Sequence, residues 1–127
     1  MRIFMGLNAV PYLHREAHYP LAQKAGMSLA QIAVIRDTST ALSDDVDPAR
    51  LLSDLQRAAL AYTDWMTRNV HVPQNIFDAL KGHVTDQEIV EITITVATYN
   101  MVSRILVSLD VGDKANLKVP EVLVEQK

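Results

Sequence analysis

Thr85-Asp86-Gln87-Glu88-Ile89-Val90-Glu91-Ile92-Thr93-Ile94-Thr95-Val96 is the stretch that decides the class of fold. Most of it is β-branched and partly alternating, so propensity alone reads it as a strand. Its first four residues argue otherwise. Thr85 and Glu88 stand three apart in the pattern of a capping box, where hydroxyl and carboxylate each accept from the other's unsatisfied backbone N–H at a helix start. The apolar pattern also runs on to Leu109, well past the length of an ordinary strand. The spacing therefore predicts one long helix over residues 85–109, and an all-α domain around it.

Working back from this helix, Val72-Pro73 breaks the chain, and a short helix is expected over residues 74–81, ending near Gly82. Before it, Asp47-Pro48 has the form of an N-cap followed by proline at the first helical position. It predicts a helix reaching Asn69, with Leu51, Leu52, Leu55, Ala58, Ala59, Tyr62, Trp65 and Met66 recurring every three or four residues on its buried face. Residues 37–47 are polar and turn-rich and read as an exposed connection. Ser28 should cap a short helix through Arg36, with Leu29, Ile32, Ala33 and Ile35 apolar at helical spacing. The first helix is expected over residues 12–25, stopped by Gly26 and either kinked or restarted at Pro20. After Gly112 a charged tail ends with Val119-Pro120-Glu121-Val122-Leu123-Val124, which packs on a neighbour or stays loose.

A chain of 127 residues at 49% hydrophobic and 21% charged is long enough for one real core and too apolar for a disordered segment. One domain is expected over residues 1–127. The formal charge of −3 and the absence of any basic run argue against nucleic acid as a partner. The apolar stretch Met1-Arg2-Ile3-Phe4-Met5-Gly6-Leu7 is too short and interrupted to span a membrane and lacks a signal-peptide cleavage pattern, so the expectation is a cytoplasmic protein with no membrane partner. The chain has no cysteine, which fits a reducing compartment and leaves no thiol for chemistry.

Three groups of residues could carry a site. His14 and His18 are one helical turn apart, with Glu16 between them, in Leu13-His14-Arg15-Glu16-Ala17-His18-Tyr19-Pro20. That spacing suits a two-ligand metal clip, whose third ligand would have to be His71, His83 or a carboxylate, but it equally suits polar positions on a helix face. Histidine titrates near neutral pH, so the pair also suits acid–base work on a substrate. Glu88 and Glu91 form the second group. Glu88 has a structural task in the capping box, whereas Glu91 sits in an apolar run and is either buried with a raised pKa or on the polar side of an amphipathic helix. The third group is Tyr99, Asn100 and Arg104, in which Asn100 and Arg104 share a face and could together hold a carboxylate. The structural alternative is a salt bridge made by Arg104 to another helix or subunit.

Taken in order, His18-Tyr19-Pro20-Leu21-Ala22-Gln23-Lys24-Ala25-Gly26-Met27-Ser28, Ala61-Tyr62-Thr63-Asp64, Val72-Pro73, Thr85 to Glu91 and Tyr99-Asn100-Met101-Val102-Ser103-Arg104 resemble the carboxymuconolactone decarboxylase family. The resemblance covers most of the chain and implies an alkylhydroperoxidase-like helical bundle that assembles into homo-oligomers. That family contains cofactor-free decarboxylases and thiol peroxidases. In the peroxidase branch a glutamate precedes a Cys-x-x-Cys pair and a histidine follows four residues after the second cysteine. With His18 as that histidine, the two thiol positions fall on Pro11 and His14, and the glutamate falls about one residue before Met1. The resemblance thus excludes the thiol branch and implies that residues 1–11 are the remnant of a longer first helix, with residues 113–127 a tail. The stretch from Glu88 to Arg104 reads like a second copy of the same motif, with Asn100 at the first thiol position.

The reading that follows is a helical homo-oligomer acting without a cofactor, and without a metal, as a lyase or decarboxylase on a small anionic organic molecule. His18 would be the acid–base residue, supported by His14 and Glu16. Arg104 would hold the substrate carboxylate, in a pocket shared with Asn100, Tyr99 and Glu91. The alternative is a non-catalytic binding or assembly protein of the same fold whose site has decayed.

Overall fold

The computed structural model describes the backbone of residues 13–111 and the side chains of residues 18–111. Within them lie five α-helices: α1 Leu13–Lys24, α2 Leu29–Arg36, α3 Asp54–Asn69, α4 Gln74–Lys81 and α5 Asp86–Ser108, with a 3₁₀ turn at Thr38–Thr40 between α2 and α3. Among the described residues there is no strand. The predicted tail beyond Gly112 and the remnant over residues 1–11 lie outside them.

The β-branched run of α5 is helical for the reasons read from its start. Thr85 Oγ1 accepts from Glu88 N at 3.2 Å and Glu88 Oε2 accepts from Thr85 N at 2.8 Å. Further in, the hydroxyls of Thr93 and Thr95 donate back to the carbonyls of Ile89 and Glu91, both at 2.7 Å, a bond that absorbs threonine's polar group inside a helix. Ile89, Ile92, Val96, Asn100 and Ser103 recur every three or four residues and are the buried side of α5.

The start of α3 corrects the reading of Asp47-Pro48. Asp47 is fully buried, and its carboxylate accepts from Leu51 N at 3.2 Å and Leu52 N at 2.8 Å. The same carboxylate lies 3.8 Å from Arg57 Nη1. It thus caps a turn, closed by Arg50 N donating to Asp47 O at 3.0 Å, and not a helix. Arg50 has φ +54°, a left-handed conformation that stops helix propagation. The helix begins only at Asp54, behind a second capping box formed by Ser53 and Gln56. Residues 37–47 are accordingly not a wholly exposed connection, since Val46 and Asp47 at their end are buried.

The remaining elements follow their local signals. Ser28 and Gln31 box the start of α2. α1 runs through Pro20 without a restart and gives way at Gly26, whose φ of +89° is the conformation that glycine adopts without strain. α3, α4 and α5 pack on one another. Ile32 and Ile35 from α2, Leu60 from α3, Leu80 from α4 and Val96 from α5 are the large side chains sealed in the core, with Leu52 packed against them from the loop before α3.

Candidate functional site

A polar seam joins α3 to α5. Near its first end Tyr62 Oη and Thr93 Oγ1 are hydrogen-bonded at 2.8 Å. Seven residues further along α5, Asn100 Nδ2 donates to Thr67 Oγ1 and to Val96 O, each at 3.0 Å. Both pairs advance along the two helices together, so α3 and α5 run in the same sense. Arg104 then donates from Nη1 to Asn100 Oδ1 at 2.6 Å and from Nη2 to Thr67 O at 3.3 Å. Asn100 and Arg104 therefore do meet on one face, as their spacing predicts. They meet in a hydrogen bond between themselves, and Arg104 also grips α3 through Thr67 O.

The structure brings a second pair together that spacing could not show. His18 on α1 and Tyr99 on α5 have ring centroids 5.5 Å apart at an interplanar angle of 72°, an edge-to-face contact. His18 Nδ1 is shielded from solvent, and both residues are half-buried. Asn100 follows Tyr99 in the chain, but on a helix consecutive side chains diverge by about 100°, so Tyr99 meets α1 while Asn100 and Arg104 meet α3. His14 and Glu16 fall among the side chains outside the described residues.

Glu91 is exposed, and Gln87 Nε2 donates to its Oε1 at 2.8 Å, which places it on the polar side of the helix. Glu88 performs the capping task, and the Thr85 backbone N–H, followed by the Thr85 hydroxyl, holds its carboxyl below the ordinary glutamate range. Asp86 is likewise held low by a bond and charge from Lys81, whose Nζ is 2.6 Å from Oδ1. His71 and His83 are exposed, in the connections before α4 and before α5. Among the described residues no group of three or more His, Asp or Glu side chains could hold a metal ion.

Thr67 and Thr93 carry no local signal of their place in the seam, and Tyr62 and Asp64 stand out in the sequence only for apolar pattern and resemblance. Asp64 is buried in α3, beside Thr63, whose Oγ1 donates to Ala59 O at 2.7 Å. A carboxylate one position from an apolar helix stripe is the signal that could have singled it out. Compared with known proteins, the chain matches no family model, no curated protein and no solved structure.

Proposed function

We propose that the chain is a member of the carboxymuconolactone decarboxylase-like group, with an alkylhydroperoxidase-like bundle, and that it acts as a cofactor-free lyase on a small anionic organic acid. The reading is supported above all by the contact between His18 and Tyr99, which sets an imidazole from α1 against the residue of α5 next in the chain to Asn100. In such a reaction the bond from the α-carbon to the carboxylate breaks, carbon dioxide departs, and its electron pair stays on carbon as an enolate. His18 in its imidazolium form gives that carbon a proton and recovers one from water. Arg104 is exposed and uses only part of its donor fork on Asn100 and Thr67, so the rest can meet a carboxylate. Tyr99 orients the imidazole, and His14 and Glu16 support it from the same helix. We further propose homo-oligomers and a cytoplasmic setting.

A second reading, a non-catalytic assembly protein, is favoured by one observation. The bonds of Asn100 and Arg104 are bonds that hold α3 to α5. The two readings part under one experiment: carbon dioxide release from a panel of 3-oxo acids and lactone carboxylates, with wild-type and His18→Gln protein. Release reduced on the order of a hundredfold or more in the variant supports the lyase. Release absent from the whole panel, or unchanged in the variant, defeats it.

A further inference from the structure

The side of α5 turned away from the core carries Val90, Ile94, Ala97, Thr98, Met101 and Ile105, all exposed. Four of them are large and apolar, with 55%, 60%, 56% and 49% of Val90, Ile94, Met101 and Ile105 open to solvent. At 3.6 residues per turn they form one stripe on the face opposite Ile89, Ile92 and Val96. Their intervals are four, three, one, three and four residues, which read the same in both directions. A stripe with that symmetry fits its own copy. When two α5 helices lie antiparallel about an axis between Ala97 and Thr98, Val90 comes opposite Ile105 and Ile94 opposite Met101, while the smaller pair sits at the axis and lets the backbones approach. This is the self-complementary surface that a two-fold interface requires.

From this we infer that the Val90–Ile105 face of α5 is a dimer interface between two copies of the chain, paired antiparallel. The inference deepens the proposed self-assembly and rests on it for the kind of partner, but owes nothing to the lyase chemistry. Two such faces together bury on the order of 1,000 Å², the lower edge of a specific interface. α5 is also long and apolar enough to cross a membrane by length and composition. Lipid is the poorer occupant. The other side of α5 is hydrogen-bonded to α3 through Thr93 and Asn100, and the stripe is flanked by Glu91 and by an Arg104 already bonded to Asn100, without the lysine and arginine border of a membrane-surface helix.

The absence of cysteine makes the arrangement directly readable. Mass is measured against concentration by sedimentation equilibrium for wild-type and Ile94→Glu protein. Disulfide formation under mild oxidation is measured for Thr98→Cys, for Val90→Cys, and for Val90→Cys mixed with Ile105→Cys. Circular dichroism checks that each variant folds. The expected result is a monomer–dimer equilibrium moved at least tenfold to higher concentration by Ile94→Glu, with Thr98→Cys linking to itself and Val90→Cys linking only to Ile105→Cys. Self-linking of Val90→Cys means a parallel pair and overturns the inference. An oligomer that survives Ile94→Glu and leaves Thr98→Cys unlinked overturns this face while leaving self-assembly standing. A protein monomeric at all concentrations overturns both, and its flotation with phosphatidylcholine vesicles would then assign the stripe to lipid.

Discussion

Arg104 Nη1 donates to Asn100 Oδ1 at 2.6 Å, and Asn100 Nδ2 donates in turn to Thr67 Oγ1 at 3.0 Å, so one asparagine links a guanidinium on α5 to a hydroxyl on α3. Asn100 is buried, and replacing it with an apolar residue leaves Thr67 and Arg104 without these partners. Asn100→Leu should destabilise the fold by about 1 kcal/mol, because it removes the bonds that tie α5 to α3 while Thr67, half-buried, and Arg104, exposed, recover part of the loss from water. Urea unfolding followed by circular dichroism checks this. Equal midpoints for the variant and wild-type would show that the seam contributes nothing.

Arg104 separates a structural role from a binding role. Arg104→Met removes both of its bonds and keeps much of the apolar stem, so stability should fall by no more than about 1 kcal/mol at this exposed position. Under the proposed function the same variant should also lose affinity for small carboxylates by tenfold or more, read by calorimetry or by chemical-shift titration. Affinity unchanged beside a measurable loss of stability would confine Arg104 to holding α3 on α5.

Asp47 should be the most sensitive carboxylate among the described residues. It is fully buried and accepts from two backbone N–H groups, with the Arg57 guanidinium beside it. Asp47→Ala leaves the N–H groups of Leu51 and Leu52 without their acceptor and takes the nearby carboxylate from Arg57, which keeps its bonds to Leu52 O and Asp54, so a loss of about 3 kcal/mol is expected. Asp47→Asn should recover little, because its amide turns a donor toward donors. A thermal midpoint for Asp47→Asn close to wild-type would contradict this account of the loop.

The caps of α5 set a pH dependence. Glu88 and Asp86 are held below the ordinary carboxylate range by Thr85 and by Lys81 respectively. The folded state therefore binds protons less readily than the unfolded chain at these sites, and their contribution is present above the unfolded values and lost as pH falls through the folded ones. The thermal midpoint should therefore decline as pH falls through and below the ordinary carboxylate range, about pH 4. Glu88→Gln should flatten part of that decline, and salt should weaken the Lys81 share more than the Thr85 share. A profile identical in Glu88→Gln would remove the cap from the explanation.

Local signals in the sequence located α2, α4 and α5, because each start is written within a few residues: Ser28 with Gln31, Val72-Pro73, and Thr85 with Glu88. At the start of α3 two local signals compete. Asp47-Pro48 and the phase of Leu51 and Leu52 pointed to one start, while Ser53 with Gln56 marked the real one. Leu52 fits the apolar pattern because the loop folds it into the core, not because it is helical. At the candidate site, the meeting of Asn100 and Arg104 was legible as a spacing of four on one helix. Its anchorage on Thr67, and the contact of His18 with Tyr99, depend on how helices distant in sequence pack, which no local pattern encodes.

Val70 carries the least comfortable backbone among the described residues. It ends α3 with φ +62° and ψ −52°, and His71 N donates to Asn69 O at 2.6 Å across it, the form of γ-turn that is rare and strained for an L-residue. A β-branched side chain makes that conformation costlier still, and Val70 is 83% exposed, so it recovers almost nothing by burial. Glycine adopts positive φ without the steric penalty, at the cost of a more flexible unfolded chain. With the strain the larger of the two, Val70→Gly should stabilise the fold by about 1 kcal/mol and raise the thermal midpoint by a few degrees. Val70→Ala, which keeps the Cβ, should gain less than half of that. A destabilised glycine variant would mean that the turn is not strained, or that Val70 is covered in the assembled protein.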